Sequence, residues 1–296
     1  MRPLPPSLQV LYPFKGASCA TPEGTLHYID EGDGPAVVML HGNPTWSFFY
    51  RDLVLALRDS HRCLALDHLG CGLSDKPQRA DYTLAGHIRR ARAWLGQTGA
   101  ERFHLVLHDW GGPIGLGLAD ALRERVESIT LFNTAGFPFP SIPLRIAVCR
   151  WPLLGTLLTR GANAFVAAAT VMTTVEPLSE AVKAGYRLPY GSWADRVAVD
   201  AFVKDIPMRR RHRSRAPLEA IADSLAGWRD HPVQLVWGMR DWCFHPAILA
   251  EWERRLPQAA VHRLPQAGHY LMEDAGERIF PLVRAFVAAA QAAQRP

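Results

Sequence analysis

Six short, largely apolar runs constrain this chain more than any other feature. They are Ala36–Leu40 (AVVML), Arg62–Leu66 (RCLAL), Phe103–Leu107 (FHLVL), Ser128–Phe132 (SITLF), Val233–Trp237 (VQLVW) and Val261–Leu264 (VHRL). Each stops at turn-forming or polar residues, as at His41-Gly42-Asn43-Pro44 or Pro265-Gln266-Ala267-Gly268-His269. Runs this short, apolar on both faces and bounded by Gly and Pro, fit parallel strands covered on both sides. Helical patterns lie between them, as at Leu84–Gln97 and Ile114–Arg125. The alternation predicts an α/β fold with a mostly parallel, doubly wound sheet. The rhythm breaks once, from Phe137 to about Asp230, where no strand pattern occurs and Ala, Leu, Val, Arg and Trp dominate. That interval is too long for a loop and reads as an inserted helical cap. The expected division is residues 1–136 for the first part of the core, 137–230 for the cap and 231–296 for the second part of the core.

Composition excludes several alternatives. At 296 residues, folding buries roughly three quarters of the unfolded surface and leaves about 12,500 Å² exposed, enough for a large single core. The 48% hydrophobic and 21% charged content is wrong for a disordered chain. Five widely spaced cysteines with no CxxC give neither a disulfide framework nor a zinc site, which favours a reducing, cytoplasmic setting. The opening MRPLPPSLQVLYPF lacks a signal-peptide pattern. Ile146–Met172 is apolar, but Arg150, Arg160, Pro152, Gly155 and Gly161 interrupt it, so it is not expected to span a membrane. Peripheral membrane contact stays open. The net charge of +5 equals the five arginines at 209, 210, 211, 213 and 215. This cluster is either a solvated helix face or loop, or a docking surface for an acidic partner or a membrane. Nucleic acid is not an expected partner, because no aromatic platform or binding motif accompanies the cluster.

In an open parallel sheet, ligands bind beyond the carboxyl ends of the strands. Asp109 stands there, at an abrupt strand-to-helix switch followed by Gly111 and Gly112. Asp241 and His269 follow two later strands. The order acid, acid, histidine resembles the α/β-hydrolase fold, with Asp109 at the nucleophile elbow where many members have Ser. Leu107 stands where the elbow usually has a small residue. A carboxylate is ionised at neutral pH and needs no base to attack an electrophilic carbon that bears a good leaving group. His269, oriented by Asp241, is then the base for a later step. Asn133 follows the run Ser128–Phe132, a position where some relatives carry the triad acid, and it cannot serve as one. Asp67, in DHLGCGLSDKP, reads as structural, and Glu273 and Asp274 as the start of the last helix, where negative charge is favourable.

His41-Gly42-Asn43-Pro44-Thr45-Trp46-Ser47 and His108-Asp109-Trp110-Gly111-Gly112-Pro113 resemble the haloalkane dehalogenase superfamily, subfamily III type, over nearly the whole chain. The resemblance implies that the side-chain N–H groups of Asn43 and Trp110 receive the departing anion. It also implies that their backbone N–H groups form an oxyanion hole. Neutral donors do this without tying up the attacking carboxylate in an ion pair. Asn133–Pro140, Pro189–Arg196 and Phe202–Pro207 look like the β-lactone decarboxylases of bacterial long-chain olefin biosynthesis. That resemblance implies decarboxylation of a cis-3-alkyl-4-alkyloxetan-2-one to a cis-olefin and CO2, on a hydrophobic substrate. It further implies assembly with neighbouring olefin-biosynthesis enzymes.

The motifs alone leave haloalkane dehalogenation open, since it needs the same residues. Epoxide hydrolysis would need cap tyrosines, for which Tyr186 and Tyr190 are placed by location, but Asn43 stands where that family usually has an aromatic residue. A non-catalytic module that binds a hydrophobic ligand is the alternative of another class. In the cap, Leu153, Leu154, Leu157, Leu158, Phe165 and Val166 suit long alkyl chains, and most of them are expected to pack the cap helices. No cofactor is expected: no phosphate loop follows the first run, and the histidines lack metal-ligand spacing.

Overall fold

The computed structural model describes residues 5–294; residues 1–4, where the segment read as lacking a signal pattern begins, lie outside them. Eight strands form one sheet in the order β1-β2-β4-β3-β5-β6-β7-β8. They are β1 (Ala17–Thr21), β2 (Gly24–Glu31), β3 (Ala36–Leu40), β4 (Arg62–Leu66), β5 (Phe103–His108), β6 (Val126–Phe132), β7 (Val233–Gly238) and β8 (Ala260–Leu264). β2 pairs antiparallel with β1 and β4, and all other pairs are parallel. The chain's accessible surface is 12615 Å², the size expected from its mass.

The central strands explain their own composition. Ala36, Val38 and Leu40 of β3 enter one core, and Val37 and Met39 enter the other. β5 divides likewise, with Leu105 and Leu107 on one face and Val106 on the other. Side chains alternate between faces, so a strand covered on both sides is apolar throughout. The helix Leu84–Gln97 covers one face with Leu84, Ala91, Trp94 and Leu95, and Thr83 caps its start by accepting from the Gly86 N–H. The second predicted helix starts earlier than Ile114. It runs Gly111–Ala121, followed by a 3-10 turn at Arg123–Arg125. Pro113 falls in its first turn, where a missing N–H costs no helical bond.

Between β6 and β7 the described residues form helices and turns only. The helix Val197–Asp205 is tied to the core through Asp205, which accepts from the Leu84 N–H at 2.8 Å and the Ser214 hydroxyl at 2.6 Å. The Trp46 indole donates to the Gly185 carbonyl at 3.1 Å and the Tyr190 hydroxyl to the Thr45 carbonyl at 3.2 Å. The expectation for the six apolar cap residues divides three ways. Val166 packs against Tyr190 and Val199. Leu158 and Phe165 line a cavity. Leu153, Leu154 and Leu157 are exposed, which corrects the view that most of the six pack the helices. The exposed run Arg209–Arg211 lies in the loop before the helix Arg215–Ser224.

Candidate active site

The turn after β5 reverses within a single residue. Asp109 has φ +51°, a left-handed conformation that projects its side chain over the sheet edge before the helix opens at Gly111. Close packing holds this turn. A Cβ on Gly42 would lie 2.0 Å from Asp109 Oδ1, and one on Gly111 would lie 1.9 Å from the Leu40 carbonyl oxygen. The unusual Leu107 is accommodated by the following helix, where a Cβ on Gly115 would meet the Leu107 side chain at 2.3 Å. The space missing at position 107 is supplied at position 115.

The structure brings Asp109, Asp241 and His269 together. His269 Nδ1 donates to Asp241 Oδ2 at 2.8 Å, and His269 Nε2 faces Asp109 Oδ2 at 3.9 Å. Asp241 is fully engaged: Oδ2 also accepts from Asn133 Nδ2 at 2.9 Å, and Oδ1 accepts from the Cys243 N–H at 2.6 Å. Asn133 Nδ2 also donates to the Gly238 carbonyl, and its Oδ1 accepts from the Gly238 N–H at 2.7 Å. Asn133 therefore cannot be the acid but locks the acid's loop onto the end of β6. Burial pushes the Asp109 carboxyl above its ordinary pKa, opposed by His269 and by the backbone N–H groups of Asn43 and Trp110. For His269, burial favours the neutral ring, but Asp241 and Asp109 together outweigh it and raise the pKa. The buried His108 ring is held well below the usual value by burial and by His269, so it adds no second cation, while its Nε2 donates to the His269 carbonyl at 3.0 Å.

The Asn43 backbone N–H donates to Asp109 Oδ1 at 2.7 Å, and that of Trp110 also reaches the carboxylate. The Asn43 side-chain amide donates one N–H to the Val199 carbonyl at 3.2 Å, and the Trp110 ring leans on Phe202. Both residues, with Asp109 and His269, line one cavity of about 340 Å³. Its remaining wall is mostly apolar, with Phe137, Ile142, Leu158, Phe165 and Val203 from the helical insertion. This volume and chemistry suit an apolar small molecule held by a few convergent polar groups.

Tyr186 and Tyr190 do not line the cavity. The Tyr186 hydroxyl donates to Glu273 at 2.5 Å and that of Tyr190 to Thr45. Both are committed to joining the insertion to the core. Asp67 has a structural placement, accepting from the Ser47 and Leu73 N–H groups and from His27. Glu273 accepts from both terminal guanidinium nitrogens of Arg51, at 2.6 and 2.8 Å. Asp274 accepts from the N–H groups of Gly268 at 2.7 Å and Val175 at 2.9 Å, and so pins the loop that carries His269 to the insertion. The sequence signals only helix-start acids at 273 and 274. No local pattern announces the support that Asn133 and Asp274 give to the triad.

Comparison with known proteins agrees with this geometry. The alpha/beta hydrolase fold family matches residues 35–276. The chain is 41% identical to cis-3-alkyl-4-alkyloxetan-2-one decarboxylase of Shewanella oneidensis, over 95% of this chain and 90% of the relative. It is 36% identical to haloalkane dehalogenase 2 of Mycobacterium tuberculosis, over 91% and 93%. The crystal structure of haloalkane dehalogenase DbeA from Bradyrhizobium elkani superposes with a TM-score of 0.88 at 27% identity, covering 95% of this chain and 99% of that one. The chain belongs to the α/β-hydrolase fold family, in the branch that holds the haloalkane dehalogenases and the cis-3-alkyl-4-alkyloxetan-2-one decarboxylases.

Proposed function

We propose that this protein is a cis-3-alkyl-4-alkyloxetan-2-one decarboxylase with Asp109 as nucleophile. The observation that carries the reading is a desolvated Asp109 carboxylate facing an apolar cavity beside two neutral N–H donors, in a chain 41% identical to a decarboxylase of that name. Asp109 Oδ2 attacks the ring carbon bonded to oxygen. The carbon–oxygen bond of the strained ring breaks, and its electron pair leaves as a carboxylate. The free N–H of the Asn43 amide and the Trp110 indole receive that anion. The carbon–CO2 bond then breaks, its electrons form the double bond, and the Asp109 carboxylate departs with its own pair. No water is consumed and no proton is gained or lost. Inversion at the attacked carbon followed by anti loss converts a cis-lactone into a cis-olefin. His269, held by Asp241 at 2.8 Å and facing Asp109 at 3.9 Å, has its pKa raised by both carboxylates against burial, and lies beside the Asp109 carboxylate as it is released.

The test follows alkene and CO2 from a cis-3,4-dialkyl β-lactone, and halide from a 1-bromoalkane in parallel. Many turnovers of alkene with little halide are expected, and no alkene from Asp109→Ala. Fast halide release with an inert lactone would replace this reading with haloalkane hydrolysis. The Asn43–Trp110 donor pair favours that as the second reading, with His269 then activating water on the ester. Ligand binding without any product would instead mark a binding module. The five free cysteines fit action in the cytoplasm.

A further inference from the structure

Among the described residues, the strongly exposed large apolar side chains are concentrated on the helical insertion, with Val10 the one exception. Leu144 is 77% exposed, Leu153 82% and Leu157 58%, and Trp151, Leu154 and Trp193 stand open beside them. The first five lie on one stretch of chain, 144–157, and Gly161 brings Leu157 and Trp193 together, each within 4 Å of its Cβ position. A monomer rarely exposes so many large apolar groups in one place without a partner. The charge follows the same division. Residues 137–230 hold 13 Lys and Arg against 8 Asp and Glu, while the rest of the chain balances at 20 and 20. No acidic residue occurs from 137 to 175.

Cations and apolar groups are interleaved. The Arg160 guanidinium lies 4.7 Å from the Trp193 ring centroid. Arg150 donates to the Val203 carbonyl at 3.2 Å and to the Ile206 carbonyl, which joins the apolar stretch to the loop carrying Arg209, Arg210 and Arg211. No carboxylate pairs with those three arginines among the described residues. A partner must therefore be apolar at its centre and anionic at its edge. A second copy of this chain would set cation against cation.

We propose that this face docks on the surface of a bilayer containing anionic lipids, with Trp151, Leu153, Leu157 and Trp193 inserted at headgroup level and Arg209–Arg211 on the lipid phosphates. The cavity wall belongs to the same elements. Arg145, Cys149, Leu158 and Met172 line it, and Met172 is also exposed at the surface. Docking sets the cavity rim against the lipid, the phase in which an apolar substrate or product collects. The inference rests on surface chemistry alone and stands whichever reaction Asp109 performs.

Cosedimentation of the full chain with phosphatidylcholine vesicles, with and without phosphatidylglycerol, tests it. Binding is expected to need phosphatidylglycerol and to weaken as salt rises from low to molar concentration. Arg209→Gln/Arg210→Gln/Arg211→Gln should weaken binding about 100-fold. Leu153→Ser/Leu157→Ser should weaken it by about tenfold or more. Both variants change exposed residues outside the cavity, so unaltered melting and unaltered turnover of a short, soluble substrate are expected. No vesicle binding by the parent, or binding that both variants retain in full, overturns the proposal. So does capture of a neighbouring biosynthetic enzyme that the arginine variant loses while vesicle binding persists. Loss of lactone turnover alone would bear on the reaction and not on this surface.

Discussion

The strand ends of the core and the helical insertion use the same residue types in opposite ways. At the strand ends, charged and polar side chains are buried and the acid beside His269 is fully engaged: the Asp241 carboxylate takes three donors, from His269, Asn133 and Cys243. On the insertion, leucine and tryptophan stand in solvent, and Arg209–Arg211 have no carboxylate partner among the described residues. A buried carboxylate is tolerable only inside a complete hydrogen-bond set, so that region is fixed in geometry. An exposed leucine has no such requirement, so the insertion is shaped by what it meets. On the function proposed above, chemistry belongs to the first region, and access and selectivity to the second.

The largest expected effect is on Asp109. Asp109→Asn should cost at least about 10⁴-fold in turnover, measured as product release. The same change should raise the melting temperature by about 2 °C, because it removes a carboxylate whose burial raises its pKa and weakens the fold at neutral pH. A fall in melting temperature would mean that Asp109 is part of the structural set and would blur the contrast. Asn133→Ala should lower turnover about 10- to 100-fold with a changed pH profile, since it releases one donor from Asp241 and two bonds to Gly238. Unchanged turnover and profile would show that Cys243 and His269 alone orient the acid.

The stability contrast is smaller in scale. Leu105→Ala, in β5, should destabilise by about 2–5 kcal/mol by denaturant unfolding, whereas Leu157→Ala should stay within about 0.5 kcal/mol. Equal effects would erase the distinction between the two regions. The smallest effect is a pH dependence. His269 has a folded pKa above the ordinary histidine value of about 6.5. Its protonation therefore adds stability in full below that pH, and the gain fades as pH rises through the folded value. The melting difference between the parent and His269→Gln should shrink with rising pH. A difference that grew with pH would put the folded value below the unfolded one.

Much of this was legible in the chain itself. Short, largely apolar runs ending at turn-forming or polar residues mark strands, and six of the eight strands were legible that way; β3 to β7 among them are buried on both faces almost throughout. β1 and β2 escape it because β1 is an edge strand and both carry half-exposed, mixed residues, such as Ala17–Thr21. The order of Asp109, Asp241 and His269 along the chain was readable because each follows a recognisable strand. Their support was not. Asn133 lies 108 residues from Asp241 and Asp274 lies 99 from Val175, and only the packed sheet and insertion bring them together. The fate of the cap leucines was equally hidden. Leu157 and Leu158 are adjacent and chemically identical, yet one faces solvent and the other the cavity. Sequence decides which residues are apolar and which strands they build, because periodicity is local. Which apolar residue meets water, substrate or another side chain depends on surfaces assembled from distant segments, and that the tertiary structure alone decided.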